Sequence, residues 1–134
     1  MKVFLSGKMT GEKDYGREVF MRAEQNLKEL DPNIVVLNPA ILPLGMDYED
    51  YMDICFAMIY VSDCVALLPG WEESNGSRRE RAFAHEIGIP VRTYNLTVSK
   101  IGLNELKKKN EELPFQEPRT SFKGIVGSYR GIVE

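Results

Sequence analysis

One histidine and two cysteines in 134 residues leave almost nothing from which to assemble a metal centre. Cys55 and Cys64 stand in apolar segments without metal-ligand spacing, so they read as buried free thiols in a reducing, cytoplasmic setting. No metal and no cofactor is called for. His85, the sole imidazole, falls on the charged face of its helix and reads as a surface residue rather than a catalyst. No apolar run approaches the roughly 20 residues of a membrane span, and the opening MKVFLSG is too short for a signal peptide. Positive charge is not in excess: 17 Lys and Arg against 20 Asp and Glu give a net charge of -3. That balance argues against binding a nucleic-acid polymer. With 43% hydrophobic and 28% charged residues, the chain is expected to be globular, with room for one core.

Taken in order, short apolar runs alternate with helical periodicity. Val3, Phe4 and Leu5 form a first strand, followed by the loop Ser6-Gly7-Lys8-Met9-Thr10-Gly11. Its glycines, Lys8 and Thr10 suit a phosphate or a sugar hydroxyl. The ending of a Walker loop is absent, which excludes that kind of nucleotide triphosphatase, and a plain strand-to-helix turn is the competing reading. Val19, Phe20, Ala23, Leu27 and Leu30 predict an amphipathic helix over 15–30, stopped by Asp31-Pro32-Asn33. A second strand over 34–37 ends in Asn38-Pro39, where Asn38 either meets a ligand or forms the turn. A helix over 47–62, with Asp47 as N-cap, places Tyr48, Met52, Cys55 and Ile59 on a core face. Ile54, Phe56 and Met58 lie off that face, which predicts a subunit interface and a homo-oligomer, dimer or higher.

The segment from Asp63 to Val91 organises the rest. It reads as a buried strand over 64–68, a turn-rich loop over 69–75, a helix over 76–87 and a further strand over 89–94. Asp63 itself reads as a helix-to-strand turn residue. The loop leaves the strand's carboxyl end, where open α/β sheets bind ligands. Gly76-Ser77 allows close backbone approach at a helix start, and Glu80 follows one turn later, aimed back at that loop. Trp71 either stacks on a base or covers the edge of the sheet. A helix over 101–112, carrying Lys107-Lys108-Lys109, ends before the break at 114–118. The tail beyond either adds a short strand or lies on a partner.

The series FLSGKMTG, LNPA, SDCVALLPGWEESNGSRRE and A-x-E-x-G-x-P-V resembles the nucleoside 2-deoxyribosyltransferase-like proteins, over about residues 2–93. Within them it is most similar to a branch of small, often phage-associated members of unassigned function. The resemblance implies a flavodoxin-like α/β fold over 1–95: a parallel sheet of order 2-1-3-4 with helices on both faces. Residues 96–134 are then an extension, packing on the same domain or on a partner and able to supply a fifth strand. It also implies a small-molecule partner, a nucleotide or nucleoside, whose N-glycosidic bond is cleaved or exchanged. Glu80 stands where the family keeps its nucleophile. Ser74 stands where the transferases carry an acid and the nucleotide hydrolases a phosphate-binding serine, which favours a 5′-monophosphate. Ser6 and Gly7 match the loop lining the sugar and base pocket, and Lys8 or Arg78 adds positive charge. Asn38, Gly70, Trp71, Gly76 and Ser77 complete the expected lining. Cys55 replaces the acid that protonates the leaving base, and Asp53 lies about 160° away around the helix. Asp47, Glu49 or a neighbouring subunit would then have to supply the proton; otherwise the chain is a nucleotide-binding module without turnover.

Overall fold

The computed structural model describes residues 1–112. The break expected at 114–118 and the tail strand or partner contact beyond it lie outside the described residues. Four strands, β1 (Lys2–Ser6), β2 (Val35–Leu37), β3 (Cys64–Leu67) and β4 (Val91–Thr93), form one parallel sheet of order β2-β1-β3-β4. The helices α1 (Arg17–Leu30), α2 (Tyr48–Tyr60), α3 (Asn75–Glu86) and α4 (Tyr94–Glu112) cover both faces. This is the flavodoxin-like arrangement, with the expected strand order.

Strand alternation divides the core in two. Val3, Leu5, Cys64 and Ala66 face α1 and α4, meeting Phe20, Ala23, Leu27 and Ile101. Phe4, Val65 and Leu67 face the other way, toward Cys55 and Ile59 of α2 and Ala84 of α3. The two central strands are buried on both sides, which is why their sequences are continuously apolar. Their carboxyl ends are level, since Ser6 of β1 pairs with Leu67 of β3. Asp63 lies at the other end of the sheet, where its carboxylate accepts from the Lys2 backbone N–H at 2.7 Å.

Four local expectations are corrected. α1 starts at Arg17 rather than at 15, because Asp14, Tyr15 and Gly16 take left-handed φ values of 49°, 54° and 71°. A Cβ on Gly16 would also lie 2.9 Å from the Lys8 carbonyl oxygen, so only glycine fits there. Val19, expected in the core, is exposed; Phe20, Ala23 and Leu27 set the buried face. The last strand is shorter and the last helix longer than expected: Thr93 ends β4, and its Oγ1 accepts from the Leu96 N–H at 3.2 Å, as an N-cap does. α4 is then tied down by the Tyr94 hydroxyl, which donates to the Ala23 carbonyl at 3.1 Å. Finally, Tyr48, expected on the core face of α2, is exposed. Phe56 and Met58 are half-buried against their own chain, Phe56 stacking on Phe83 of α3 with ring centroids 4.6 Å apart.

Ile101 is buried in the α1-side core. Ile101→Ala is therefore expected to lower stability by about 2–5 kcal/mol, seen as a lower urea midpoint with unchanged slope. A helix that folded apart from the sheet would leave the midpoint in place.

Candidate active site at the carboxyl edge of the sheet

After Ser6 the chain turns to the α1 face, and after β3 it turns to the α3 face; this divergence of two adjacent strand ends is the place where open α/β sheets form a ligand crevice. Gly70, with φ of 89°, redirects the chain into a single 3-10 turn over Trp71–Glu73. Ser74 is the N-cap of α3: its Oγ accepts from the Ser77 N–H at 3.1 Å. The inward face of α3 then carries Ser77 and Glu80, three residues apart and thus on one side of the helix. Both are buried, as is Ser6 on the facing strand. Ser6 Oγ lies 2.7 Å from Glu80 Oε1 and 3.0 Å from Ser77 Oγ.

Burial penalises the charged form of Glu80 and pushes its carboxyl up to about 7, against the pull of Ser6, the Cys55 thiol and the Arg79 charge. The Cys55 thiol is itself pushed well up, by burial first and by the neighbouring Glu80 second. Arg79 turns to α2, where its Nη1 and Nη2 donate to Glu49 Oε1 and Oε2 at 2.9 and 3.2 Å. Its guanidinium also lies over the Tyr48 and Phe56 rings. That pairing holds the Glu49 carboxyl below its usual range. A Cβ on Gly76 would meet Met52 Sδ at 3.6 Å and the Tyr48 hydroxyl at 3.7 Å. The first turns of α2 and α3 are thus clasped together beside Glu80. A carboxyl poised near neutrality can serve either as an acid or, once ionised, as a nucleophile.

The expected lining residues separate into three sets. Ser6, Ser77 and Glu80 converge, with Ser74 and Gly76 one turn away at the helix start. Trp71, Lys8 and Arg78 stand around the crevice but are engaged. Trp71 packs on the α2–α3 core with Arg81 over its ring. Lys8 Nζ sits 3.4 Å from Glu73 and 3.5 Å from Glu12. Arg78 turns back to the loop, donating to the Glu72 carbonyl at 2.9 Å and to the Asn75 side chain. Gly7 and Asn38 turn toward the α1-side core instead. A Cβ on Gly7 would come within 3.0 Å of Leu68 and 3.2 Å of Phe20, both in the α1-side core. Asn38 is buried on that side too: its Oδ1 accepts from the Ala40 N–H at 2.9 Å and its Nδ2 donates to Glu24 at 3.1 Å. Its role is the turn.

Sequence reasoning passed over Tyr48, Met52 and Arg79. The first two had been assigned to a core face whose spacing equally suits a helix lying over a site. Two clefts, of about 640 Å³ along α1 and about 530 Å³ between α1 and α4, are lined by none of these residues. Among the described residues no three His, Cys, Asp or Glu side chains converge as a metal site would. None of the described helices is long and apolar enough to cross a membrane.

Residues 1–93 match the family described as Domain of unknown function (DUF4406), and the chain belongs to that family. No curated protein and no solved structure matches the chain. The family match spans β1 to the end of β4 and so contains the whole Glu80 cluster.

The raised Glu80 carboxyl fixes the sign of one pH dependence. Between pH 4.5 and about 7 the folded chain keeps a proton that the unfolded chain has released. Glu80 therefore makes stability fall as pH rises through that window, by an amount on the order of 3 kcal/mol. Glu80→Gln should remove this fall, making the variant more stable than the parent at pH 8 and no more stable at pH 4. Urea titrations across that range check it; parallel curves for the two proteins would show a carboxyl that titrates normally.

Proposed function

We propose that this DUF4406 member cleaves or exchanges the N-glycosidic bond of a (deoxy)nucleoside 5′-monophosphate, with Glu80 as nucleophile. The observation that carries this reading is Glu80 itself, among the described residues the one buried carboxylate, at the carboxyl edge of a parallel sheet and one turn inside a helix start. As the C1′–N bond breaks, positive charge develops at C1′, and an ionised carboxylate is suited to meet it. A C1′–O bond to Glu80 then forms while the base departs and takes up a proton. Attack on C1′ by water or by a second base breaks that bond and frees the carboxylate. The 5′-phosphate would lie at the α3 start, where the helix dipole favours an anion. Ser74 supports this placement: its Oγ accepts from the Ser77 N–H, which leaves the hydroxyl proton for a phosphate oxygen. Lys8 would exchange Glu73 and Glu12 for the phosphate.

A specific observation favours a second reading, a nucleotide-binding module without turnover. The side chain beside Glu80 on α2 is the Cys55 thiol, which holds its proton too tightly to serve as a general acid near neutrality. Glu49 is committed to Arg79. In the enzymatic reading the proton for the leaving base comes from a neighbouring subunit of a homo-oligomer or from water.

Incubation with a panel of nucleotides and nucleosides, reading free base by chromatography, separates the two. Base release should fall by several orders of magnitude in Glu80→Gln with nucleotide binding nearly intact. Ser74→Ala should weaken monophosphate binding by about 1–3 kcal/mol and remove an N-cap worth about 1 kcal/mol of stability. Undiminished turnover in Glu80→Gln ends the enzymatic reading; binding without turnover in the parent establishes the module.

A further inference from the structure

We infer that Ser6 and Ser77 form a two-hydroxyl hydrogen-bond relay that positions Glu80 and meets it in both of its protonation states, so that Ser6 is a positioning residue and not a substrate contact. The inference deepens the proposed role of Glu80 and rests on that reading only where catalysis is concerned.

The geometry is that of a chain. Ser6 Oγ stands between Glu80 Oε1 at 2.7 Å and Ser77 Oγ at 3.0 Å, and all three side chains are buried. Ser6, on the strand, has no exposed surface, so its hydroxyl is closed to a ligand. A hydroxyl has one proton and two lone pairs, which allows it to pass a bond on in either direction. With Glu80 ionised, Ser77 donates to Ser6 and Ser6 donates to the carboxylate. With Glu80 protonated, the carboxyl donates to Ser6 and Ser6 donates to Ser77. Both orders use the same two contacts, so Glu80 keeps a hydrogen-bond partner whether it is charged or neutral. Without that partner a buried polar group would go unmet, at a cost of about 1–3 kcal/mol.

The other groups around Glu80 are fixed by their own partners. α2 presents the Cys55 thiol, a weak donor whose proton is held tightly. α3 presents Arg79, which is forked onto Glu49 of α2 and lies over Tyr48. At the loop after β1, Lys8 is paired with Glu73 and Glu12. Among the described residues, only the two serines offer a hydroxyl oxygen, able both to donate and to accept, in the hydrogen-bond chain that ends on Glu80. The strand end that carries Ser6 is locked by its pairing with Leu67, and Ser77 is locked by the Ser74 cap. The carboxylate is thereby held in one orientation.

The test is a 13C NMR titration of the glutamate side-chain carboxyls in the full chain, with Glu80 assigned by its disappearance in Glu80→Gln. Ser6→Ala deletes the donor to the charged form, so the Glu80 midpoint should rise by about one pH unit, a tenfold gain in proton affinity. Ser77→Ala should move it the same way by less. In the parent, base release should show a limb at the Glu80 midpoint that shifts with it in each variant. A Ser6→Ala midpoint equal to the parent's overturns the proposal. If Ser6→Ala does not fold, a Ser77→Ala midpoint equal to the parent's overturns it instead. The NMR measurement stands without turnover, so a parent that releases no base sinks the reading of function while leaving the relay to be judged on its own midpoints.

Discussion

A carboxylate closed between a sheet edge and a helix has to find its donors inside the protein, and the 2.7 Å contact from Ser6 to Glu80 meets that requirement. Much else follows from it. β1 must end level with β3, so that Ser6 is presented where α3 passes. α3 must start close to that strand end, which the left-handed Gly70 and the Ser74 cap together bring about. α2 must close the remaining side without adding a second charge against the carboxylate, and at that point it presents a thiol.

The surrounding packing is less particular. β1, β2 and β3 each give alternate residues to two separate hydrophobic clusters, and each cluster is closed by its own pair of helices. Burial of this kind is tolerant of detail, since any apolar residue of suitable volume serves. The active edge is different. There, glycine is fixed at Gly16 by a backbone oxygen, and at Gly7 by side chains that leave no room for more. Such positions set how closely the loop after β1 can lie against the strand ends.

The strand order came with the family resemblance, whereas the candidate site was read from the chain: apolar runs of strand length, broken by Pro-Gly and by Asn-Pro, place every loop that follows a strand on one edge. Glu80 stood out because it comes one turn after Gly76-Ser77. What eluded sequence reading was the face on which each residue falls. Phe4 and Ser6 share a face by strand alternation, whereas Gly7 and Asn38 turn toward the other, which membership of the same loops did not reveal. The Arg79–Glu49 fork joins residues with no local pattern between them, and nothing short of the α2–α3 packing shows it. The start of α4 was missed because Thr93 reads as a strand residue by propensity, while its hydroxyl serves as a cap.

The two thiols fall on opposite faces of the sheet, Cys64 on β3 beneath α1 and α4, and Cys55 on the inward face of α2. The backbone layer of the sheet lies between them, so the folded chain has no intramolecular route to oxidise one with the other. Each layer of helices instead shelters one sulfur of its own. Any motion that lifts one layer bares one thiol and leaves its counterpart covered. A thiol-specific label would therefore report separately on each side of the sheet, and the sulfur on α2 would report on the layer that packs beside Glu80.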